Sequence, residues 1–247
     1  MRYLTIILIL FSIQVSGQED KLKEANQLYS SEKYEEAVTA YKEILAQGYE
    51  SAALYYNLGN ACYKTGDINN AILNYERALL LAPDDEDIAF NLRIANQYVV
   101  TSIEPLPQPF FVRWGNSIRN RYPADSWAAF SLISFILFLS MLGLFLFSKS
   151  AGFKRAAFII GILLIVLSGF TFSFASKQKS KIKSRNHAIV FCPRVTVKSS
   201  PSETGTDLFL IYEGLKVEVT DSLNNWKEVK LRDGNQGWLQ DSCIVRI

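Results

Sequence analysis

Two long apolar runs, separated by a short basic loop, constrain this chain more than any other feature. Residues 127–147 and 156–175 contain no Asp, Glu, Lys, Arg or His, and about 20 apolar residues allow a helix to cross a hydrocarbon core about 30 Å thick. They predict a transmembrane hairpin with spans at 126–147 and 156–175 and a loop at 148–155. Because the loop is short, the flanking segments must leave the membrane on the same side. A buried helical hairpin of a soluble protein is the alternative, which the charge-free length disfavours.

Residues 1–17 predict on which side of the membrane the two flanking segments lie. Residues 1–17 begin with Arg2, continue through the apolar stretch 4–13 and end on small residues, a pattern typical of a secretory signal peptide. Export of the N-terminal segment leaves the 148–155 loop, with its three basic residues, in the cytoplasm. The predicted localisation is the bacterial inner membrane, with the N-terminal and C-terminal domains periplasmic.

Charge is unevenly spread along the chain. The formal net charge is +2, yet residues 18–104 contain 15 acidic and 7 basic side chains. Five cations fall within a predicted linker at 176–187, namely Lys177, Lys179, Lys181, Lys183 and Arg185. A basic run beside a membrane exit indicates contact with lipid headgroups. No nucleic-acid partner is predicted, because no groove-reading motif accompanies the run.

The segment 18–100 repeats itself at 34 residues. A shift by that length brings Ala25, Leu28, Tyr29, Ala37 and Tyr41 onto Gly59, Cys62, Tyr63, Ala71 and Tyr75. With Tyr55, Leu58, Ala78 and Pro83, the second copy resembles the tetratricopeptide repeat. Small residues are expected where paired helices approach closely. The segment therefore predicts a short α-solenoid of two repeats and a capping helix that begins near Asp84 and Asp85.

The same shift relates four asparagines: it brings Asn26 onto Asn60 and Asn57 onto Asn91. In tetratricopeptide domains, asparagines at such positions hydrogen-bond the backbone of an extended peptide, so the resemblance implies a peptide-binding set on the concave face. Solvated residues of a helix face are the alternative. A clamp for a carboxylate is disfavoured, since Asp87 stands where such a clamp needs a cation.

Residues 101–125 predict a spacer followed by an interfacial segment. Pro105, Pro107 and Pro109 oppose helix formation and favour an extended chain. Aromatic and apolar side chains then recur every three to four residues among arginines, at Phe110, Phe111, Trp114 and Ile118. This pattern predicts a short amphipathic helix in the headgroup region, with a core helix as the alternative. In the second span, Gly169 and Ser173 form a small-residue step that suits close helix contact.

Residues 188–247 change to short alternating strands. Six candidate strands in this length predict a small barrel or sandwich. The motifs at 195–201, 213–217, 226–229, 233–234 and 237–239 resemble a bacterial SH3 domain, which implies an SH3-like β-barrel. Tyr212, Trp226 and Trp238 are then candidates for a groove that binds a peptide or a wall-derived ligand. Core positions for the two tryptophans are the alternative.

The few cysteine and histidine residues limit which catalytic and metal sites the chain can form. Cys62 occupies a packing position of the repeat, while Cys192 and Cys243 are candidates for a disulfide in an exported compartment. His187 is the single histidine, which excludes Ser-His and Cys-His catalytic pairs within a folded domain and multi-histidine metal sites. No phosphate-binding glycine loop is present. We therefore predict no catalytic residue, no metal, no cofactor and no enzymatic activity.

The order of these segments resembles the BatE family of the Bacteroidetes aerotolerance (Bat) operon. The fold class is multi-domain α and β. The resemblance implies membrane-bound partners, namely von Willebrand A-type Bat proteins and a MoxR-type ATPase. The predicted function is a non-enzymatic, membrane-anchored periplasmic scaffold in an aerotolerance or envelope-stress complex. The alternative is an envelope sensor that binds peptidoglycan or peptide through the SH3-like domain.

Overall fold

The computed structural model describes residues 20–101, 103, 106–107 and 109–247. The predicted signal peptide at 1–17 and Pro105 lie outside the described residues. The chain divides into two compact units. One combines the chain up to Leu81 with Asp85–Pro107 and Arg185–Ile247, and the other comprises Ala82–Asp84 and Gln108–Ser184.

Paired helices form the N-terminal part of the first unit. They are α1 (20–30), α2 (Tyr34–Ala46), α3 (Ala52–Lys64), α4 (Ile68–Leu81) and α5 (Glu86–Ala95), followed by a 3-10 turn at Asn96–Tyr98. Two starts are capped by side chains. Ser51 Oγ accepts the Leu54 N–H at 3.1 Å, and Asp85 Oδ1 accepts the N–H groups of Asp87 and Ile88. Such caps satisfy amide donors that a helix N-terminus leaves without partners.

Small residues lie at the closest helix contacts, as the repeat pattern predicts. A Cβ added at Gly59 would come within 2.7 Å of the Tyr75 ring, so α3 and α4 can approach this closely only with glycine there. Ala25, Ala37 and Ala71 are fully buried. The packing that the repeat pattern predicts at these positions is confirmed.

The second unit contains three helices, α6 (Phe110–Arg119), α7 (Ala124–Phe147) and α8 (Ala151–Ser184). Both α7 and α8 are long and apolar enough to cross a membrane. They pack together as a hairpin through two serines: Ser131 Oγ and Ser168 Oγ each donate to the main-chain oxygen of the other residue at 3.0 Å. Each hydroxyl thus finds its acceptor on the opposite helix.

In the hairpin, the glycine of α8 that lies close to α7 is Gly161 and not Gly169. A Cβ at Gly169 would meet no atom within 4 Å among the described residues, whereas one at Gly161 would contact Met141 Cβ at 3.7 Å. The small-residue step at Gly169 and Ser173 does not lie at the α7–α8 contact, because the serine pair turns a different face of α8 towards α7.

Helix α8 extends beyond the predicted span at both ends. It starts at Ala151, within the predicted loop, and runs to Ser184 through most of the predicted linker. The cations end the apolar run, but Lys, Ala and Gln are good helix formers and no Pro or Gly interrupts them. The helix stops before Arg185, which takes a left-handed φ of +43°. Hydropathy alone therefore underestimates the length of the helix.

The C-terminal part of the first unit is one antiparallel sheet. Its strands are β1 (His187–Val190), β2 (Arg194–Lys198), β3 (Asp207–Tyr212), β4 (Lys216–Leu223), β5 (Trp226–Lys230), β6 (Gln236–Gln240) and β7 (Ile244–Arg246). Six match the candidate strands, and β7 is additional. Asp233 and Gly234 turn between β5 and β6, where Gly234 has a φ of +93°. Only glycine adopts that conformation readily.

This sheet is not closed into the predicted SH3-like β-barrel. Its hydrogen-bonded order is β3-β2-β6-β5-β4-β1-β7, which leaves β3 and β7 as edges. Nevertheless, buried residues from all seven strands share one core, among them Val190, Val197, Ile211, Val229 and Leu239. Register irregularities after Val197 and Val219 mark where β2 and β4 depart from regular pairing. Irregularities of this kind bend strands, so the sheet curls around its core without joining its edges.

Helix α4 packs against this sheet within the first unit. Glu76, 7% exposed, forms an ion pair with Lys216. Asn69 Nδ2 donates to Glu213 Oε2 at 2.7 Å, and Arg77 donates to the main-chain oxygen of Arg246 at 2.7 Å. These contacts place the sheet on the face of α4 that carries Asn69 and Glu76.

Candidate peptide-binding site

A pocket of about 330 Å³ lies within the repeats, among residues of α1, α3, α4 and α5. It is lined by Tyr29, Tyr56, Asn60, Tyr63, Lys64, Tyr75, Asn91 and Ile94. The lining combines aromatic rings with two of the four predicted asparagines. Asn60 and Asn91 are thus the two predicted peptide-binding residues that line this pocket.

The first pair of asparagines is joined through a tyrosine. Tyr41, buried on α2, donates its hydroxyl to Asn26 Oδ1 at 2.8 Å. Asn57 Nδ2 donates to the same oxygen at 2.9 Å. One amide oxygen on α1 therefore ties together α1, α2 and the next first helix, α3.

The second pair repeats this arrangement 34 residues later. Tyr75 donates to Asn60 Oδ1 at 2.8 Å, and Asn91 Nδ2 donates to that oxygen at 2.9 Å. Asn91 Nδ2 also donates to the Tyr56 hydroxyl at 3.1 Å. We call the two sets, Tyr41 with Asn26 and Asn57 and Tyr75 with Asn60 and Asn91, the Tyr-Asn-Asn units. Their equal bonds at matching positions make the units a repeated feature of the fold.

The tyrosines remain donors over the physiological pH range. Burial, with a smaller effect of Tyr29, raises the pKa of Tyr41 to about 12. Burial, followed by the nearby Tyr56, also raises the pKa of Tyr75. Each hydroxyl therefore keeps its proton and can donate it, to Asn26 Oδ1 from Tyr41 and to Asn60 Oδ1 from Tyr75. The units thereby fix the orientation of the Asn26 and Asn60 amides.

Each unit leaves one amide donor and one amide acceptor unused. Among the described residues, the Nδ2 atoms of Asn26 and Asn60 and the Oδ1 atoms of Asn57 and Asn91 have no hydrogen-bond partner. All four side chains are half-buried. An extended peptide offers main-chain N–H and C=O groups that pair with such donors and acceptors. The asparagines therefore tie the repeats together and also retain capacity to bind.

The signal for these units was present in the sequence. Tyr41 and Tyr75 are related by the same shift of 34 that relates the asparagines. Sequence analysis identifies these tyrosines only as matching positions of the repeat and does not predict their hydroxyl bonds. Tyrosine, rather than phenylalanine, at both buried positions is the clue, because a buried hydroxyl needs a partner.

The second predicted site is assembled only in part. Glu228 pairs with Trp238, and Trp226 pairs with Gln240, so both tryptophans lie on one face of the sheet as diagonal neighbours. Both are half-buried, whereas their neighbours Val229 and Leu239 are buried in the core. Tyr212 pairs with Arg194 on edge strand β3, two strands from β6. The three predicted groove residues are therefore not brought together.

The cysteines have distinct surroundings. A disulfide joins Cys192, after β1, to Cys243, before β7, with an S–S distance of 2.01 Å. Cys62 is fully buried in the repeats. Burial raises the pKa of the Cys62 thiol to about 12, so it stays protonated and unreactive at neutral pH.

Charged contacts also join the repeats to the chain just before β1. The Arg185 guanidinium donates to both carboxylate oxygens of Glu50 at 2.9 Å. Burial raises the pKa of Glu50, but hydrogen bonds from Arg185 and Tyr55 outweigh it, so the pKa is lowered overall. Arg77 lies 5.7 Å from the centre of the Tyr55 ring, and burial lowers its pKa. Arg185, the residue that follows α8, is therefore held against the loop that precedes α3.

Comparison with known families identifies one segment. Residues 22–87 match the family model described as Tetratricopeptide repeat. No curated protein matches the chain. The match confirms the predicted repeats, and this family is typically a non-enzymatic module for protein interaction. It includes Asn26, Asn57 and Asn60, and it ends before Asn91. Residues 22–87 are thus similar to a protein-interaction module. In this chain the segment contains three of the four candidate asparagines.

Proposed function

We propose that the concave face of the repeats binds an extended segment of a partner protein, and that the chain acts as a non-enzymatic, membrane-anchored scaffold. The observation that carries this proposal is the pair of Tyr-Asn-Asn units. They present donors and acceptors at two matching places along one groove. A partner strand that follows the groove can use both places with its main chain.

The units also lower the cost of binding. An asparagine that is free to rotate loses rotamer freedom when it binds, whereas these amides are already held by tyrosine and asparagine partners. Tyr29, Tyr56 and Tyr63 line the pocket together with Asn60 and Asn91 of the second unit. Tyrosine supplies large contact area with few rotatable bonds. The groove therefore suits a peptide with apolar or aromatic side chains and a main chain available for hydrogen bonding.

The apolar helices support the anchoring part of the proposal. Residues 148–150 alone separate α7 from α8, so a hairpin that crosses the membrane has both ends on one side. The first unit contains residues from before and from after this hairpin, which agrees with that arrangement. The signal-like residues 1–17 favour the periplasmic side of a bacterial inner membrane.

The resemblance to the BatE family extends the proposal to partners. The scaffold would work in an aerotolerance or envelope-stress complex with von Willebrand A-type Bat proteins and a MoxR-type ATPase. A membrane-bound partner suits a scaffold that is itself anchored in the membrane. These partners supply the first proteins to examine in the experiment below.

The experiment separates binding from folding. Asn60→Asp keeps oxygen acceptors for Tyr75 and Asn91 but replaces the unused Nδ2 donor with an acceptor. We expect the yield of a photo-crosslinker at Tyr63 to fall about fivefold in cells, since one hydrogen bond is worth about 1 kcal/mol. The unfolding temperature of the purified chain should stay close to that of the wild type. Asn26→Asp tests the matching position of the first unit.

Gln47→Glu is the control, because it also converts an amide to an acid. Gln47 follows α2, lies outside the pocket and accepts a bond from Lys21 that a carboxylate can keep. It should leave crosslinking unchanged. Equal losses from Asn60→Asp and Gln47→Glu would reject the groove as the binding site, as would crosslinks that do not map to one segment of the partner.

The tryptophan face of the sheet supports a second candidate, an envelope sensor that binds peptidoglycan or peptide. Trp226 and Trp238 are half-exposed neighbours on that face. The full chain should then sediment with isolated wall sacculi, and Trp238→Ala should weaken this. Unchanged sedimentation of Trp238→Ala, with Asn60→Asp reducing crosslinking, would leave the repeat groove as the functional site.

A further inference from the structure

A second pocket, of about 440 Å³, lies inside the second unit, between the start of α7 and the last third of α8. One end is apolar and is formed by Ala128, Phe172 and Ala175. The other end is polar, with Lys179 and Lys183 from α8 and Asp125 from α7. A cavity with this division matches a molecule that has an apolar and a charged part.

The polar end lies at the depth of lipid headgroups if α8 spans the bilayer, so this inference rests on the proposed membrane anchoring. The charge-free run of α8 ends at residue 175. At a rise of about 1.5 Å per residue, Lys179 lies about 6 Å beyond it and Lys183 about 12 Å. Polar headgroup regions flank the hydrocarbon by about 5–8 Å on each side. The long lysine chains reach that region from both positions.

The spacing of Lys179 and Lys183 along α8 places both beside the same pocket. Phe172, Lys179 and Lys183 are separated by seven and four residues, and thus lie along one stripe of α8. Ser176 and Ser180 line the same pocket between them. Neither lysine forms an ion pair within the described parts of the chain. Two ammonium groups and two hydroxyls therefore face one cavity.

The net charge at the polar end of the pocket indicates which class of ligand it binds. The two lysines and Asp125 leave the polar end with one net positive charge. A headgroup whose only charge is its phosphate neutralises it, while the serine hydroxyls and the carboxylate can bond hydroxyl groups. We propose that the pocket binds an anionic phospholipid of the phosphatidylglycerol type. Its phosphate lies between Lys179 and Lys183, and an acyl chain lies along Ala128 and Phe172.

Nanodiscs of phosphatidylethanolamine doped with phosphatidylglycerol test this with the full chain. Native mass spectrometry of the released protein compares the two lipids retained. We expect wild type to retain phosphatidylglycerol preferentially, and Lys179→Gln with Lys183→Gln to lower that preference by about fivefold per lysine, the effect of one cation near an anionic surface. The control, Lys149→Gln with Lys177→Gln, removes the same charge outside the pocket and should keep it.

The outcomes separate this inference from the anchoring itself. Failure of the chain to enter nanodiscs would reject the anchoring and the pocket together. Entry without a preference for phosphatidylglycerol, or with equal losses in the test and control variants, would overturn the pocket alone. Loss of retained phosphatidylethanolamine in the test variant would overturn the anionic class.

Discussion

At the scale of single residues, the buried hydroxyls of Tyr41 and Tyr75 decide how the repeats are joined. Each hydroxyl meets an asparagine oxygen that a second asparagine also bonds. Without the hydroxyl, that oxygen loses one of two donors in a half-buried place. The sequence pattern locates all of these residues, but hydroxyl bonding depends on side-chain directions that only the packed helices define.

Tyr75→Phe should lower the free energy of unfolding by about 1 kcal/mol, since it removes one hydrogen bond without a large change in packing. Tyr41→Phe removes the matching bond of the first unit and should cost a similar amount. Chemical unfolding of the full chain in detergent measures both. No loss for either variant would show that the hydroxyl bonds add nothing to the fold.

The Glu50 carboxylate should make the free energy of unfolding depend on pH. Its folded pKa lies below the ordinary 4.5 because Arg185 and Tyr55 bond the carboxylate. The stabilisation is therefore complete above about pH 4.5 and declines as the pH falls through the folded pKa. The stability difference between wild type and Glu50→Gln should shrink on acidification. A difference that is constant with pH would contradict this.

At the scale of elements, sequence periodicity predicts which helices and strands form more reliably than where they end. The 34-residue shift and the strand alternation predict α1–α5 and six strands. The end of α8 is not predicted because the apolar run ends where the lysines begin. Lysine nevertheless has a good helix propensity, so the helix continues through them. The open sheet is missed because alternation reports which face of a strand is buried, and says nothing of which edges pair.

The hairpin should depend on the serine pair. Ser131→Ala with Ser168→Ala removes both cross-helix bonds and should destabilise the α7–α8 contact by about 1 kcal/mol, since such bonds average about 0.6 kcal/mol each in membrane proteins. Unfolding in mixed micelles of rising dodecyl sulfate content measures this. Ser140→Ala is the matched control, because Ser140 bonds Ile136 in its own helix. Equal effects would rule out a special role for the pair.

The sheet should depend on the cross-link between Cys192 and Cys243. The two cysteines are 51 residues apart, and closing a loop of that length stabilises a fold by about 4 kcal/mol in the chain-entropy model. We expect both thiols to resist maleimide without reductant and to react after reduction and unfolding. Equal labelling of both thiols on unreduced protein would rule the cross-link out.

At the scale of the whole molecule, the packing of α4 on the sheet is the feature that no local pattern predicts. Asn69 and Glu213, which bond each other, are 144 residues apart. Their neighbours in sequence read as ordinary repeat and strand surface. Two polar side chains of α4 are buried, Asn74 and Glu76, and burial of a charged residue such as Glu76 is expected only where another element covers and pairs it.

Sidedness tests the arrangement of the whole chain. Single cysteines replace exposed Ser31, Ser199 or Ser150, with Cys62→Ala and the disulfide retained. A membrane-impermeant maleimide added to intact cells should label Ser31→Cys and Ser199→Cys and spare Ser150→Cys, because the hairpin returns both flanks to the outside. The reverse pattern would place both flanks in the cytoplasm, and labelling of only one flank would refute the hairpin.

The packing of α4 on the sheet has a consequence for biogenesis. The ribosome makes α4 first and its contacts in β1–β7 last, with the two apolar helices in between. The Glu76–Lys216 pair can therefore close only after synthesis is nearly complete and both ends of the hairpin have reached the same compartment. A chain that inserts with one flank on the wrong side leaves Glu76 and the surrounding face of α4 uncovered. In such a chain the Glu76–Lys216 pair cannot form, so the proposed insertion of the hairpin and the folding of the first unit depend on each other.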